Sequence, residues 1–253
     1  TARVEQDPPT LARLLDGKRR AELHAPRRRS VEVIDREVQV KLLAAVLIGQ
    51  VVVTGVVTSR FDVDIRGSGW VFGVKFRPGG LVALTGVGPA RAWADRTLPA
   101  AGIVPDDVAH LAGLDADGDP GGWLATTEAA LGGISHRVDA RYGALLAIVS
   151  DMLADRELVS VAQVEQRHHV TSRTLQRWFM HYVGVGPKWV LARYRMHDVV
   201  TAIDGGYAGR LTELAHRYGW YDQPHFTRDF TTLVGIPPSR YRDERTSRIH
   251  DMT

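Results

Sequence analysis

The sequence predicts an α+β protein, with a β-rich N-terminal part followed by an all-α part built from two similar helical units. Three observations predict it. Val, Ile, Phe and Thr alternate with polar residues between Val31 and Val87, helical periodicity takes over from about Tyr142, and the helical half repeats itself after 51 residues. At 253 residues the chain is long enough for two ordinary domains. We expect residues 1–124 to form the β-rich domain, 125–141 a helical linker and 142–253 the all-α domain.

In the N-terminal part, the alternation Phe61-Asp62-Val63-Asp64-Ile65 and the breaks at Gly67-Ser68-Gly69 and Pro78-Gly79-Gly80 read as antiparallel strands separated by turns. The most apolar stretch, Leu42 to Val57, is interrupted by Gln50 and Thr54 and falls short of the roughly 18 residues a membrane span requires. It reads as buried strand. Arg77-Pro78-Gly79-Gly80 could border a ligand pocket, but a turn between a strand and a helix accounts for it. Asp115 to Trp123 reads as a polar loop, and Thr126 to Arg141 as helical with a break at Gly132-Gly133.

From Tyr142, Leu145, Leu146, Val149, Met152 and Leu153 recur at helical spacing. The repeat then aligns Thr171 to Val190 with Asp222 to Tyr241. It matches Leu175 with Phe226, Arg177 with Arg228, Phe179 with Phe230, Val183 with Val234, Gly184 with Gly235 and Pro187 with Pro238. The apolar members form one buried helix face, the glycines suit a left-handed helix end, and the prolines can open the following helix. A short helix precedes each copy, Val161 to His168 and Leu211 to Tyr218, and Thr171 or Asp222 is placed to cap the second helix. Helix, tight turn and capped helix make a helix-turn-helix, here twice, with Pro187 to Ile203 as a long helix joining the units.

Composition narrows the chemistry. The net charge is +3, and all of the excess lies in residues 140–253, which hold 15 Lys and Arg against 12 Asp and Glu, while residues 1–139 hold 17 of each. A polyanion is the partner such placement suits. No cysteine is present, which removes thiolate nucleophiles and thiolate metal sites and suits a reducing cytoplasm. Thr1 to Thr10 lacks a basic-then-apolar signal pattern. No histidine pair has ligand spacing supported by a third residue. Asp115, Asp117 and Asp119 imitate a calcium loop, but Pro120 stands where glycine is needed and Thr126 where glutamate is needed. The clusters Lys18-Arg19-Arg20 and Arg27-Arg28-Arg29 read as a solvated segment, with a phosphate-contacting arm as the alternative. No histidine between Val31 and Pro105 could serve a β-barrel oxygenase, and methyl transfer to a thiol lacks its nucleophile. An enzyme is not expected, nor is a cofactor.

The segments Ser172-Arg173-Thr174-Leu175-Gln176-Arg177, Gly184-Val185-Gly186-Pro187-Lys188 and Gly219-Trp220-Tyr221-Asp222-Gln223 resemble transcription regulators of the AraC/XylS type. The resemblance runs from about Tyr142 to Tyr241. Gly69-Trp70-Val71-Phe72-Gly73-Val74-Lys75-Phe76-Arg77-Pro78-Gly79-Gly80 is similar to the N-terminal β-rich domain of one branch of that family. The resemblance implies that both second helices enter the major groove of double-stranded promoter DNA. Carried over by register, Ser172, Arg173, Gln176 and Arg177 would read the first segment and Gln223, His225, Thr227 and Arg228 the second, with Lys188 on phosphate. Arginine can fork onto guanine and glutamine onto adenine, while threonine offers a hydroxyl and a methyl. A solvated helix face is the alternative for each, and Arg228 could instead pair with Asp229 or Asp222.

The resemblance further implies a cytoplasmic regulator, with activation through RNA polymerase favoured over repression, and nothing in the residues decides between the two. Its N-terminal domain would sense a small-molecule effector, form a homodimer, or both. Two residues depart from the pattern. Glu165 stands where the family packs alanine, and His169 where it has the glycine of the tight turn. A buried carboxylate or a strained turn would be costly. The first unit is then either slightly reshaped or poorer in DNA contact, while the second keeps Ala215 and Gly219.

Overall fold

The computed structural model describes residues 43–47, 50–59, 71–104, 106, 120–134 and 139–250. Both basic clusters, the 61–65 alternation, the break at 67–69 and the aspartates at 115–119 lie outside them. The architecture is α+β. Strands β1 (Leu43–Leu47), β2 (Gln50–Thr54), β3 (Val71–Lys75) and β4 (Thr97–Pro99) form an antiparallel sheet in the order β3-β1-β2-β4. The apolar stretch from Leu42 is therefore not one strand. It is a pair, with Leu47 opposite Gln50 and Leu43 opposite Thr54, because a strand of that length folds back once a turn lets it pair with itself. Thr54 is buried without penalty, its hydroxyl 3.0 Å from that of Thr97 on the neighbouring strand.

Gly79 takes φ 77°, so Pro78-Gly79 turns the chain from β3 into helix α1 (Gly80–Thr85), as expected of that segment. Helix α2 spans Pro120–Gly132 and so starts six residues before the expected Thr126, taking up part of the presumed loop. Proline is well placed in a first turn, whose N–H groups have no partner within the helix. The break at Gly132 is where it was expected. Helix α3 (Ala140–Ala154) then starts behind Asp139, whose carboxylate accepts the N–H of Arg141.

The helical part follows as α4 (Val161–His168), α5 (Ser172–Trp178), a wide π-type turn (Phe179–Val183), α6 (Pro187–Asp204), α7 (Leu211–Arg217), α8 (Gln223–Val234) and α9 (Pro238–His250). Local chemistry sets each boundary. Ser160 and Gln163 form a capping box at α4, Thr171 accepts the N–H of Thr174, and Asp222 accepts that of His225. Gly184 ends the π-type turn that continues α5, and Gly235 ends α8, at φ 94° and 93°.

The hydrophobic interior falls into two clusters. The first joins the sheet region, through Val53, Leu81, Ala90 and Trp93, to Leu145, Val164, Leu175, Phe179 and the first half of α6, as far as Tyr194. The second begins at Met196 and contains Val199, Ile203, Leu214, Trp220, Phe226, Phe230 and Tyr241. The β-rich region is thus packed against the first helix-turn-helix. The long helix α6 gives one half to each cluster.

That packing is close at the end of α5. A Cβ on Gly184 would stand 2.9 Å from the carbonyl oxygen of Ala90, and one on Gly79 would stand 2.8 Å from Cβ of Tyr182. Tyr182 donates to Asp139 at 3.0 Å and tilts against Tyr142 with ring centroids 5.7 Å apart. Burial pushes the Tyr142 phenol up to about 12.

Candidate nucleic-acid interface

The two helix-turn-helix units share one register with one difference. The supporting helices align after 50 residues, pairing Val164 with Leu214, Glu165 with Ala215, His169 with Gly219 and Val170 with Trp220. Recognition helices align after 51. The N–H of Val170 returns to the carbonyl of Glu165 at 3.2 Å, and that of Trp220 to Ala215 at 2.9 Å, so both supporting helices end in the same way. The extra residue in the second turn is Tyr221, which is 88% exposed.

The two departures resolve differently. Glu165 is only half-buried, whereas Ala215 is fully buried, so no carboxylate is enclosed. His169 does adopt the left-handed conformation, at φ 51° and ψ 40°, which the turn demands and glycine would take without strain. The first unit therefore keeps the geometry and carries a local conformational cost.

Leu175 and Phe179 anchor α5, and Phe226 and Phe230 anchor α8, all fully buried. Successive residues on a helix are separated by 100°, so in α5 the side opposite these anchors holds Ser172, Arg173, Gln176 and Arg177. All four are exposed. The amide of Gln176 lies across Gly186, where an added Cβ would come within 3.2 Å of Oε1. Lys188 is exposed one residue after Pro187, in the first turn of α6, where no side chain caps the backbone.

In α8 the corresponding face holds Gln223, Pro224, Thr227 and Arg228 and continues to Thr231 and Thr232. These six line one shallow groove. His225 does not share it. It sits on the flank, with Nε2 3.2 Å from Oδ2 of Asp229, an oxygen that also accepts the indole N–H of Trp220 at 2.9 Å. The position equivalent to Arg173 belongs to Pro224, and the 51-residue repeat already contained that signal. Arg228 pairs with neither Asp229 nor Asp222, the latter being engaged in capping. Among the described residues, Arg173, Arg177 and Arg228 form no ion pair, so their charge is available to an external anion.

The second unit is held to the long helix by Arg195. One of its terminal nitrogens lies 3.4 Å from the carbonyl of Tyr218 and 3.2 Å from that of Gly219, and its guanidinium stands 5.0 Å from the centroid of Trp220. Burial lowers its pKa and the carboxylate of Asp229 acts against that. A Cβ on Gly219 would fall 2.7 Å from the same guanidinium, so this glycine serves both the left-handed turn and the close approach.

Two capped helices in one register, each presenting an exposed face with a free arginine, define the class: a helix-turn-helix DNA-binding protein that regulates transcription. Residues 165–244 match the family described as a helix-turn-helix domain. Residues 23–99 match a family described as a domain of unknown function. No curated protein matches the chain. A crystal structure of an apo ToxT variant from Vibrio cholerae strain SCE256 is similar at 12% identity, over 79% of this chain and 84% of that one, with a TM-score of 0.36. No helix of the described residues is long and apolar enough to cross a membrane.

Proposed function

We propose that the protein is a sequence-specific regulator of the AraC/XylS type that binds double-stranded promoter DNA through two successive major-groove contacts. The observation that carries this reading is the pair of exposed faces in equal register, with Arg177 and Arg228 at the same place on each. A single helical hairpin is common in protein cores. Two such hairpins with unpaired arginines on matching outer faces suit a repeating polyanion better than a structural role.

The residues proposed to meet DNA are Ser172, Arg173, Gln176 and Arg177 on the first helix, and Gln223, Thr227 and Arg228 on the second. Lys188 meets phosphate at the start of α6. His225 meets DNA only from the flank of α8. Residues 142–253 would constitute the DNA-binding part, 1–124 the part that senses an effector or dimerises, and 125–141 the link between them. Activation through RNA polymerase, in the cytoplasm, is the mode that the resemblance favours.

Selection of bound fragments from genomic DNA, followed by binding to the enriched site and to random DNA over a range of salt, tests the proposal. Affinity for the enriched site should exceed that for random DNA by at least about a thousandfold. Equal affinity would make the protein a non-specific DNA binder. Arg228→Ala should weaken the enriched site far more than random DNA, and equal weakening of both would reduce Arg228 to a phosphate contact.

A further inference from the structure

The two recognition faces share a register but not a chemistry, and the difference bears on which bases each can read. On α5, the four outer positions are Ser172, Arg173, Gln176 and Arg177, all hydrogen-bonding side chains. Their equivalents on α8 are Gln223, Pro224, Thr227 and Arg228. Pro224 replaces a guanidinium with an aliphatic ring that has neither donor nor acceptor. Thr227 replaces a long amide with a hydroxyl and a methyl.

One helical turn further on, Thr231 and Thr232 extend the face with hydroxyls whose protons are already committed to the helix backbone. The Oγ1 of Thr231 donates to the carbonyl of Thr227 at 2.7 Å, and that of Thr232 to the carbonyl of Arg228 at 2.9 Å. With its hydroxyl proton turned onto the helix, Thr231 has its γ-methyl and an oxygen that can only accept left to present. The centre of the groove, along Pro224, Thr227 and Thr231, is therefore mostly carbon, with Gln223 and Arg228 as the polar groups beside it.

We infer that α8 reads thymine through its C5-methyl group, with Pro224, Thr227 and Thr231 as the residues that set this preference, whereas α5 reads its segment by hydrogen bonds. This rests on the DNA-binding reading above. The C5-methyl of thymine is the one apolar group that the major groove exposes, and carbon-rich side chains are what recognises it. The half-site under α8 accordingly contains at least one thymine whose methyl is buried on binding. The half-site under α5 has no such requirement.

The test uses the full chain and its selected site, with the α8 half-site assigned by the protection that Arg228→Ala loses. Each thymine is replaced in turn by deoxyuridine, which removes the methyl and leaves every hydrogen-bonding edge intact. Affinity should fall about fourfold for at least one thymine under α8, the scale of burying one methyl-sized group, and should stay unchanged for thymines under α5. In the Thr227→Ser and Thr231→Ser double variant the preference for thymine over uracil should shrink towards unity. Thr231→Val, which keeps the γ-methyl and puts a second methyl in place of the hydroxyl, should retain it. Both variants are compared at equal thermal stability.

Three results overturn the inference: equal affinity for thymine and uracil throughout the α8 half-site, absence of thymine from it, or a preference that survives the double serine variant. If the unaltered protein does not discriminate between sequences at all, the regulator reading fails first. That outcome is visible before any base is replaced.

Discussion

Gly184→Ala probes the contact between the β-rich region and the first helix-turn-helix. At φ 94° the new side chain meets left-handed strain, and its Cβ falls 2.9 Å from the Ala90 carbonyl oxygen and 3.1 Å from the carbonyl carbon. Gly206→Ala supplies the comparison, because Gly206 has φ 86° and no atom within 4 Å of an added Cβ. Left-handed strain of about 1–2 kcal/mol, less the roughly 0.4–1 kcal/mol that alanine removes from the freedom of the unfolded chain, leaves a loss of about 1 kcal/mol for Gly206→Ala. Gly184→Ala adds a clash between two backbone segments that cannot rotate away, on the overpacking scale of about 1–3 kcal/mol. Its total is about 2–4 kcal/mol. In thermal unfolding, where 1 kcal/mol corresponds to about 2–4 °C for a chain of this size, Gly206→Ala should lower Tm by about 3 °C and Gly184→Ala by about 6–12 °C. Equal losses would refute the close docking of Ala90 on the end of the first recognition helix.

Other consequences follow from single contacts. His169→Gly should stabilise the protein by about 0.5–1 kcal/mol in denaturant unfolding, because the left-handed strain it relieves exceeds the entropy glycine adds; no gain would mean that the imidazole makes contacts of equal value. Asp229→Ala strands the indole N–H of the buried Trp220 and should cost about 1–3 kcal/mol, with Asp229→Asn, which keeps an acceptor, closer to the unaltered protein. The 2.6 Å bond from Arg167, followed by the N–H of Glu157, holds Asp155 below its ordinary value of 3.8. Its folded-state pKa is depressed, so its contribution is complete above that ordinary value and is lost as pH falls through the lowered one. Asp155→Asn should therefore flatten the acid limb of a stability profile, with less stability lost as pH falls from about 5 to below 3.8 than in the unaltered protein.

Most of the helical half was legible because its signals are local. Ser160, Thr171 and Asp222 cap, Gly184 and Gly235 stop, and Pro187 opens a helix, each through atoms within a few residues along the chain. The repeat added the register of the two units. Less could be read of the β-rich part, where the apolar run from Leu42 proved to be two paired strands. Runs of Val and Leu suit one strand or two equally well, and the choice depends on the partner.

The sequence by itself determined the two helix-turn-helix units, the long helix between them and the outward place of Ser172, Arg173, Gln176, Arg177, Gln223, Thr227 and Arg228. Periodicity states which residues oppose a buried stripe, and burial of that stripe is the strongest local demand. Only the tertiary structure decided that Asp229, which pairs with His225 on the flank of α8, also takes the indole N–H of Trp220. It also decided that Arg195, 24 residues earlier, secures the turn at Gly219, and that the β-rich region shares a core with the first unit rather than standing apart from it. Each depends on groups from different elements brought together by packing, and such meetings leave no periodic trace in the chain.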